Sequence, residues 1–154
     1  MPSRQGSPLL QAQIDIQAPV PQVWALISDL RRMPKWSPQC RAMLVLGRTR
    51  VGAKAINLNR RNKTFWPTTC TVTEIVPQRK LAFRVDFHAM VWSYELEPIE
   101  GGTRVVETRR APEGFKTVPT MLVDKMMGGV PSFEQELVAG MNESLRRIKT
   151  AAER

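Results

Sequence analysis

Six strand-length segments follow one another between Cys40 and Ala111: Cys40 to Leu46, Ala53 to Arg60, Trp66 to Val76, Lys80 to Phe87, Met90 to Pro98 and Thr103 to Arg110. Turn-forming residues separate them at Gly47 to Gly52, Arg61-Asn-Lys63, Val76-Pro-Gln-Arg79, where proline suits a type I turn, and Glu100-Gly-Gly102, with His88-Ala89 the weakest break. Short strands at this density read as an antiparallel meander. Leu81, Phe83, Val85 and Phe87 alternate with Ala82, Arg84 and Asp86, and Met90, Trp92, Tyr94 and Leu96 alternate with Val91, Ser93, Glu95 and Glu97. Each of these strands therefore has one dry and one wet face, and the dry face needs a cover.

A seventh strand precedes the meander, because Leu10, Ala12, Ile14 and Ile16 alternate with polar residues. Pro19 and Pro21 then open a helix whose apolar positions, Val20, Val23, Trp24, Ile27 and Leu30, recur at helical spacing and which should end near Leu30. Two prolines within Arg31 to Pro38 allow only a short helical turn, with Trp36 at a corner. Past Arg110, Met121, Leu122 and Met126 form a first helical segment that breaks at Gly128-Gly129. Ser132 and Gln135 have capping-box spacing, and Phe133, Leu137, Met141, Leu145 and Ile148 form one stripe of the longest helix. The expected fold is α+β: a curved seven-stranded antiparallel sheet wrapped around a long C-terminal helix, with two short helices after strand one. Residues 1–8 are expected to be a disordered tail and residues 9–154 a single domain, since no repeat or composition break divides them.

Lys and Arg number 23 against 14 Asp and Glu, a formal charge of +9. The basic side chains fall at both ends of the meander, with Arg60, Arg61, Lys63, the His88 turn and Lys116 at one end and Arg48, Arg50, Arg79 and Lys80 at the other, so the charge reads as spread. General solvation and steering of an anionic ligand or membrane surface are both compatible with it. Cys40 and Cys70 make neither a disulfide framework nor a zinc site, which fits a reducing cytoplasm. No apolar run approaches a membrane span, and Met1 to Pro8 lacks the apolar core of a signal peptide. No metal, cofactor or nucleic-acid partner is expected.

A curved sheet and a straight helix do not fill the space between them everywhere, and the side chains aimed there mix large Trp36, Trp92 and Tyr94, flexible Met126 and Met141, and small Cys70 and Gly140. On pattern alone a solid core is the plainer outcome. Pro19-x-x-x-Val23-Trp24-x-x-Ile27-Ser-Asp29-x-x-x-x-Pro34-x-Trp36-Ser-Pro38 resembles the opening of the polyketide cyclase/dehydrase and lipid-transport superfamily, the START-like or helix-grip proteins. Val51-Gly52, Cys70-x-Val72-x-Glu74-x-x-Pro77-x-Arg79-x-Leu81-Ala82-Phe83, Tyr94-x-Leu96-x-Pro98 and Gly102-Thr-Arg-Val105-x-Glu107 follow in the same order. The resemblance implies a helix-grip fold with an internal cavity that sequesters or carries a lipid, polyketide or isoprenoid-like molecule, or a cyclase/dehydrase acting on such a ligand. A transient contact with an anionic membrane surface would suit a carrier.

The residues expected to line that cavity are Trp36, Met43, Leu58, Trp66, Cys70, Phe83, Trp92, Tyr94, Met126, Phe133, Leu137 and Met141, with Arg60, His88, Glu107 and Arg109 as polar candidates in it or at its mouth. No nucleophile–base pair accompanies His88, the single histidine, and a solvated turn residue is its plainer role. Glu107 and Arg109 share the side of the last strand that carries Val105. Facing inward they would orient an oxygenated ligand; facing solvent they would be a cross-strand charge ladder, which is the preferred reading. No catalytic residue is assigned.

Overall fold

The computed structural model describes residues 8–87, 89–111 and 130–154, with side chains of the last segment from Glu134 onward. Strand β1 (Leu9–Ile16) leads into helix α1 (Val20–Ile27), a 3-10 turn at Leu30–Arg32 and the one-turn helix α2 (Met33–Trp36). Strands β2 (Cys40–Val45), β3 (Lys54–Arg61), β4 (Thr64–Val76), β5 (Lys80–Val85), β6 (Val91–Ile99) and β7 (Gly102–Arg110) follow, and helix α3 (Val130–Ala152) closes the chain. The meander forms as expected: one antiparallel seven-stranded sheet of order β1-β7-β6-β5-β4-β3-β2, in which β1 returns to pair with β7.

Local chemistry explains the boundaries that differ from expectation. Helix α1 stops at Ile27 rather than Leu30 because Asp29 is extended, at φ −86° and ψ 91°, and the chain restarts as the 3-10 turn. Gln78 has φ 64°, so the turn after Pro77 has the type II signature, not type I. Where β1 meets β7, a side chain on Gly102 would place its Cβ 1.9 Å from the Ile16 carbonyl oxygen, so only glycine fits that close approach.

The inner face of the sheet, α1 and the C-terminal half of α3 share one core. Ile16, Leu30, Leu81, Val105, Leu145 and Ile148 lie at its centre, each 1% exposed or less. Strand β3 runs against the usual polarity. Ala55 and Asn57 are buried and Asn59 is half-buried, whereas Ile56 and Leu58 on the other face are exposed. Leu58 and Arg60, both expected at the cavity, therefore point outward, because a shift of one residue reverses the face of a strand residue. Among the described residues no helix is long and apolar enough to cross a membrane.

Candidate functional site

Helix α3 touches the sheet in two ways. Leu145, Ile148 and Ala152 pack into the core, whereas Leu137, Gly140, Met141 and Ser144, earlier on the helix, border a cavity of about 200 Å³. The opposite wall is built by strand periodicity, since residues two apart share a face. Each strand from β3 to β7 sends in one such pair: Asn57 and Asn59, Trp66 and Thr68, Phe83 and Val85, Trp92 and Tyr94, Glu107 and Arg109. Cys40 and Met43 of β2, with Met33 and Pro38 around α2, complete the wall. Aromatic and methionine side chains make up much of the lining, with polar groups on the link from α2 to β2, on β3, β4 and β7, and on α3.

Those polar groups are unequal. At the β3 side the amides of Asn57 and Asn59 donate to the Thr68 hydroxyl at 3.4 and 3.0 Å, and the side-chain oxygen of Asn57 is buried with no partner among the described residues. At the β7 side Glu107 is 3% exposed and its Oε1 also has no partner among the described residues. Burial pushes its carboxyl up to about 8, overcoming the opposite pull of the Tyr94 hydroxyl, so the acid form prevails at neutral pH. Tyr94 stands opposite Glu107 in the β6–β7 register, and its hydroxyl donates to the Met33 sulfur at 3.7 Å. Burial, then the nearby Glu107, holds that phenol well above its ordinary range. Burial likewise pushes the Cys40 thiol up to about 11, which keeps it a neutral wall group and not a nucleophile.

Two ion pairs fasten the start of α3 across the cavity. Arg61 at the end of β3 donates to both carboxylate oxygens of Glu136 at 2.6 and 2.7 Å. Arg109 of β7 donates to Glu134 at 3.2 Å and to the Met90 sulfur at 3.5 Å. In the sheet order β6, β5 and β4 separate β7 from β3, so the two arginines grip the helix from either side.

Among the expected lining residues, Met43, Trp66, Phe83, Trp92, Tyr94, Leu137 and Met141 border the cavity. Trp36 and Cys70 are buried but belong to the solid part of the core, since the cavity begins beside them and not at them. Arg60 faces away and stacks over the Phe65 ring at 5.4 Å; its neighbour Arg61 has the inward parity. Glu107 and Arg109 line the cavity, at 3% and 2% exposure, and are not a solvated ladder, because β7 is flanked by β1 and β6 and its inner face lies under α3. His88, Met126, Lys116 and the Phe133 side chain lie outside the described residues. The sequence reading missed Asn57, Asn59, Thr68, Glu134 and Glu136; polar residues spaced by two on β3 were the available signal. Among the described residues no three His, Cys, Asp or Glu side chains cluster as metal ligands.

Gly140 borders the cavity without being forced there by a close approach, since among the described residues an added Cβ would meet only the Pro38 ring, at 3.9 Å. Gly140→Ala is expected to stabilise the protein by about 1 kcal/mol through helix propensity. Thermal unfolding checks this; a lower melting temperature would mean that the cavity wall cannot accept even a methyl group.

A search of curated proteins returns no match. Several solved structures share the fold. A Polyketide_cyc-like protein from Corynebacterium glutamicum is 28% identical, with 98% of this chain and 93% of that one covered and a TM-score of 0.66. A protein from Thermus thermophilus is 18% identical over 94% of this chain and 99% of its own, with a TM-score of 0.68. The di-domain ARO/CYC StfQ from the steffimycin biosynthetic pathway gives a TM-score of 0.75 at 12% identity; 95% of this chain is covered, and it spans 50% of that larger protein. The family model described as polyketide cyclase/dehydrase and lipid transport matches residues 8–153, so the chain belongs to that family.

Proposed function

We propose that the protein binds and carries a neutral, oxygen-bearing hydrophobic molecule of one or two rings in the cavity between α3 and the sheet. One observation carries this reading: a cavity of about 200 Å³, walled by Trp66, Phe83, Trp92 and methionines, holds at its buried end a carboxyl group with an oxygen that nothing among the described residues satisfies. An apolar cavity of about 150 Å³ already admits a benzene-sized guest. A buried polar group without a partner is costly, and a ligand hydroxyl or carbonyl relieves that cost. The acid form of Glu107 donates to such an oxygen, and the free Asn57 oxygen accepts from a ligand hydroxyl. A carboxylate guest would enter beside an acid, with Arg109 already bonded to Glu134.

Calorimetry with 2-naphthol and 2-naphthoate at pH 7 tests the proposal, because the two probes share a ring system and differ in their head group. At roughly 0.6 kcal/mol per non-hydrogen atom, naphthol should bind with a dissociation constant of about 10 μM. Naphthoate should bind at least about tenfold more weakly, the equivalent of 1.4 kcal/mol. Equal or tighter binding of naphthoate would assign the site to anionic lipids, and absence of binding by either would remove the carrier role.

A second reading is turnover in the same cavity, favoured by the position of Glu107, whose acid form could lend a proton to a substrate carbonyl. A poly-β-ketone probe should then cyclise faster with the protein than in buffer, and Glu107→Gln should return the rate to that of buffer. Equal rates with and without the protein would exclude this activity.

A further inference from the structure

Ten of the 23 Lys and Arg residues, and none of the 14 Asp and Glu, fall between Leu30 and Thr73. This stretch therefore carries a net +10 and the remainder of the chain a net −1, so the basicity is focused, against the expectation that it is spread. The stretch folds into α2, β2, β3 and the first half of β4, which form the β2 edge of the sheet.

The outer face of that edge is apolar where a solvated sheet would be polar. Leu44 is 61% exposed, Ile56 45%, Leu58 39% and Phe65 53%. The register makes them one surface: Leu44 lies opposite Ile56, Leu58 opposite Pro67, and Phe65 opposite Arg60. Exposed Leu46 and Val51 extend it through the loop after β2. Around it stand Arg41, Arg48, Arg50 and Lys63, which make no ion pair among the described residues, and Arg60, whose guanidinium lies over the Phe65 ring. Asp86, which borders this face, is already bonded to Lys54, Thr69 and Thr71.

We propose that the outer face of β2, β3 and β4 docks the protein onto an anionic lipid surface, with Leu44, Ile56, Leu58 and Phe65 entering the headgroup region and the surrounding arginines meeting lipid phosphates. An apolar centre inside a basic rim is what such a surface rewards, since buried apolar area and attraction to anionic lipid act together. Pairing with a second copy would bring two basic rims together with only the already bonded Asp86 as an acid among the described residues of this face, which is unfavourable. A nucleic acid would use the rim and leave the aliphatic centre without a partner. Asn57 and Asn59, which alternate with the exposed Ile56 and Leu58, line the cavity, so docking face and cavity wall are two sides of one strand.

Sedimentation with vesicles of phosphatidylcholine alone, and of phosphatidylcholine with about 30% phosphatidylserine, tests the proposal. Two variants are compared with the wild type: Leu44→Gln with Phe65→Gln, and Arg48→Glu with Arg50→Glu. None of these residues lines the cavity, so naphthol binding should be unchanged and separates this test from that of the carrier role. Should the first pair fail to fold, the second, confined to a loop, still decides. The wild type should bind the anionic vesicles and not the neutral ones, and each variant should lose about tenfold or more in affinity. The proposal is overturned by equal wild-type binding to both vesicle types, or by variants that bind as the wild type does. It is also overturned if the glutamine pair keeps vesicle binding while the glutamate pair loses vesicles and a DNA duplex alike, which would mark a polyanion site, or if the wild type is a dimer that the glutamine pair dissociates.

Discussion

Glu107→Gln should stabilise the protein by roughly 4 kcal/mol at pH 9 and change its stability little at pH 4. The folded state holds the Glu107 carboxyl at about 8, against an ordinary value of 4.5. Below pH 4.5 both folded and unfolded chains carry the proton, and the residue contributes no pH dependence. Between 4.5 and 8 the folded chain keeps a proton that the unfolded chain has released, so stability falls as pH rises, by up to 1.36 kcal/mol per unit at the middle of the window. Above 8 the loss is complete, because folding then buries a carboxylate that no described residue neutralises. Glutamine has the same shape as the acid form and never ionises, so the variant should lack this decline. Urea unfolding from pH 4 to pH 9 measures it, and at the alkaline end the melting temperature should rise by about 10 °C. If the stabilities of the two proteins run parallel across that range, Glu107 is solvated or paired in the folded state, and a hydrogen-bond donor in the cavity can no longer be assigned to it.

The architecture was readable because it depends on periods that backbone geometry imposes. The alternation of Leu81 to Val85 and of Trp92 to Leu96 fixes which face of the sheet is dry, and the stripe from Leu137 to Ile148 supplies the helix that covers it. The site was readable only in part, because its residues break the rule that made the fold readable. On β3 apolar Ile56 and Leu58 face outward and Asn57 and Asn59 inward, so choosing lining residues by hydrophobicity selects Leu58 and passes over the two amides. On β7 the spacing of Val105, Glu107 and Arg109 correctly puts all three on one face, but two charged residues suggest water where the structure has the interior. In both strands the polar side chains border the cavity, a constraint invisible to a pattern that scores only burial in a solid core. The charge followed the same logic: grouped by strand ends it looks dispersed, whereas grouped by chain segment it converges on the edge that β3 turns outward.

Shortening side chains along α3 should reveal where the helix is anchored and where it roofs empty space. Ile148→Ala is expected to cost about 4 kcal/mol, near the upper end for a fully enclosed aliphatic residue, and Met141→Ala about 2 kcal/mol. Ile148 has no exposed surface and is enclosed by core on all sides, so its removal forfeits transfer free energy and leaves a new void. Met141 is only 2% exposed, yet it borders the existing cavity, so one side of it already lacks partner atoms to lose. Equal burial thus conceals unequal packing, and only a cavity beneath the first half of the helix predicts the difference. Urea unfolding at pH 7 measures both values, and naphthol binding should weaken in Met141→Ala while remaining intact in Ile148→Ala. Equal costs for the two substitutions would mean that the helix is packed tightly from end to end, and a protein built that way has no room for a guest.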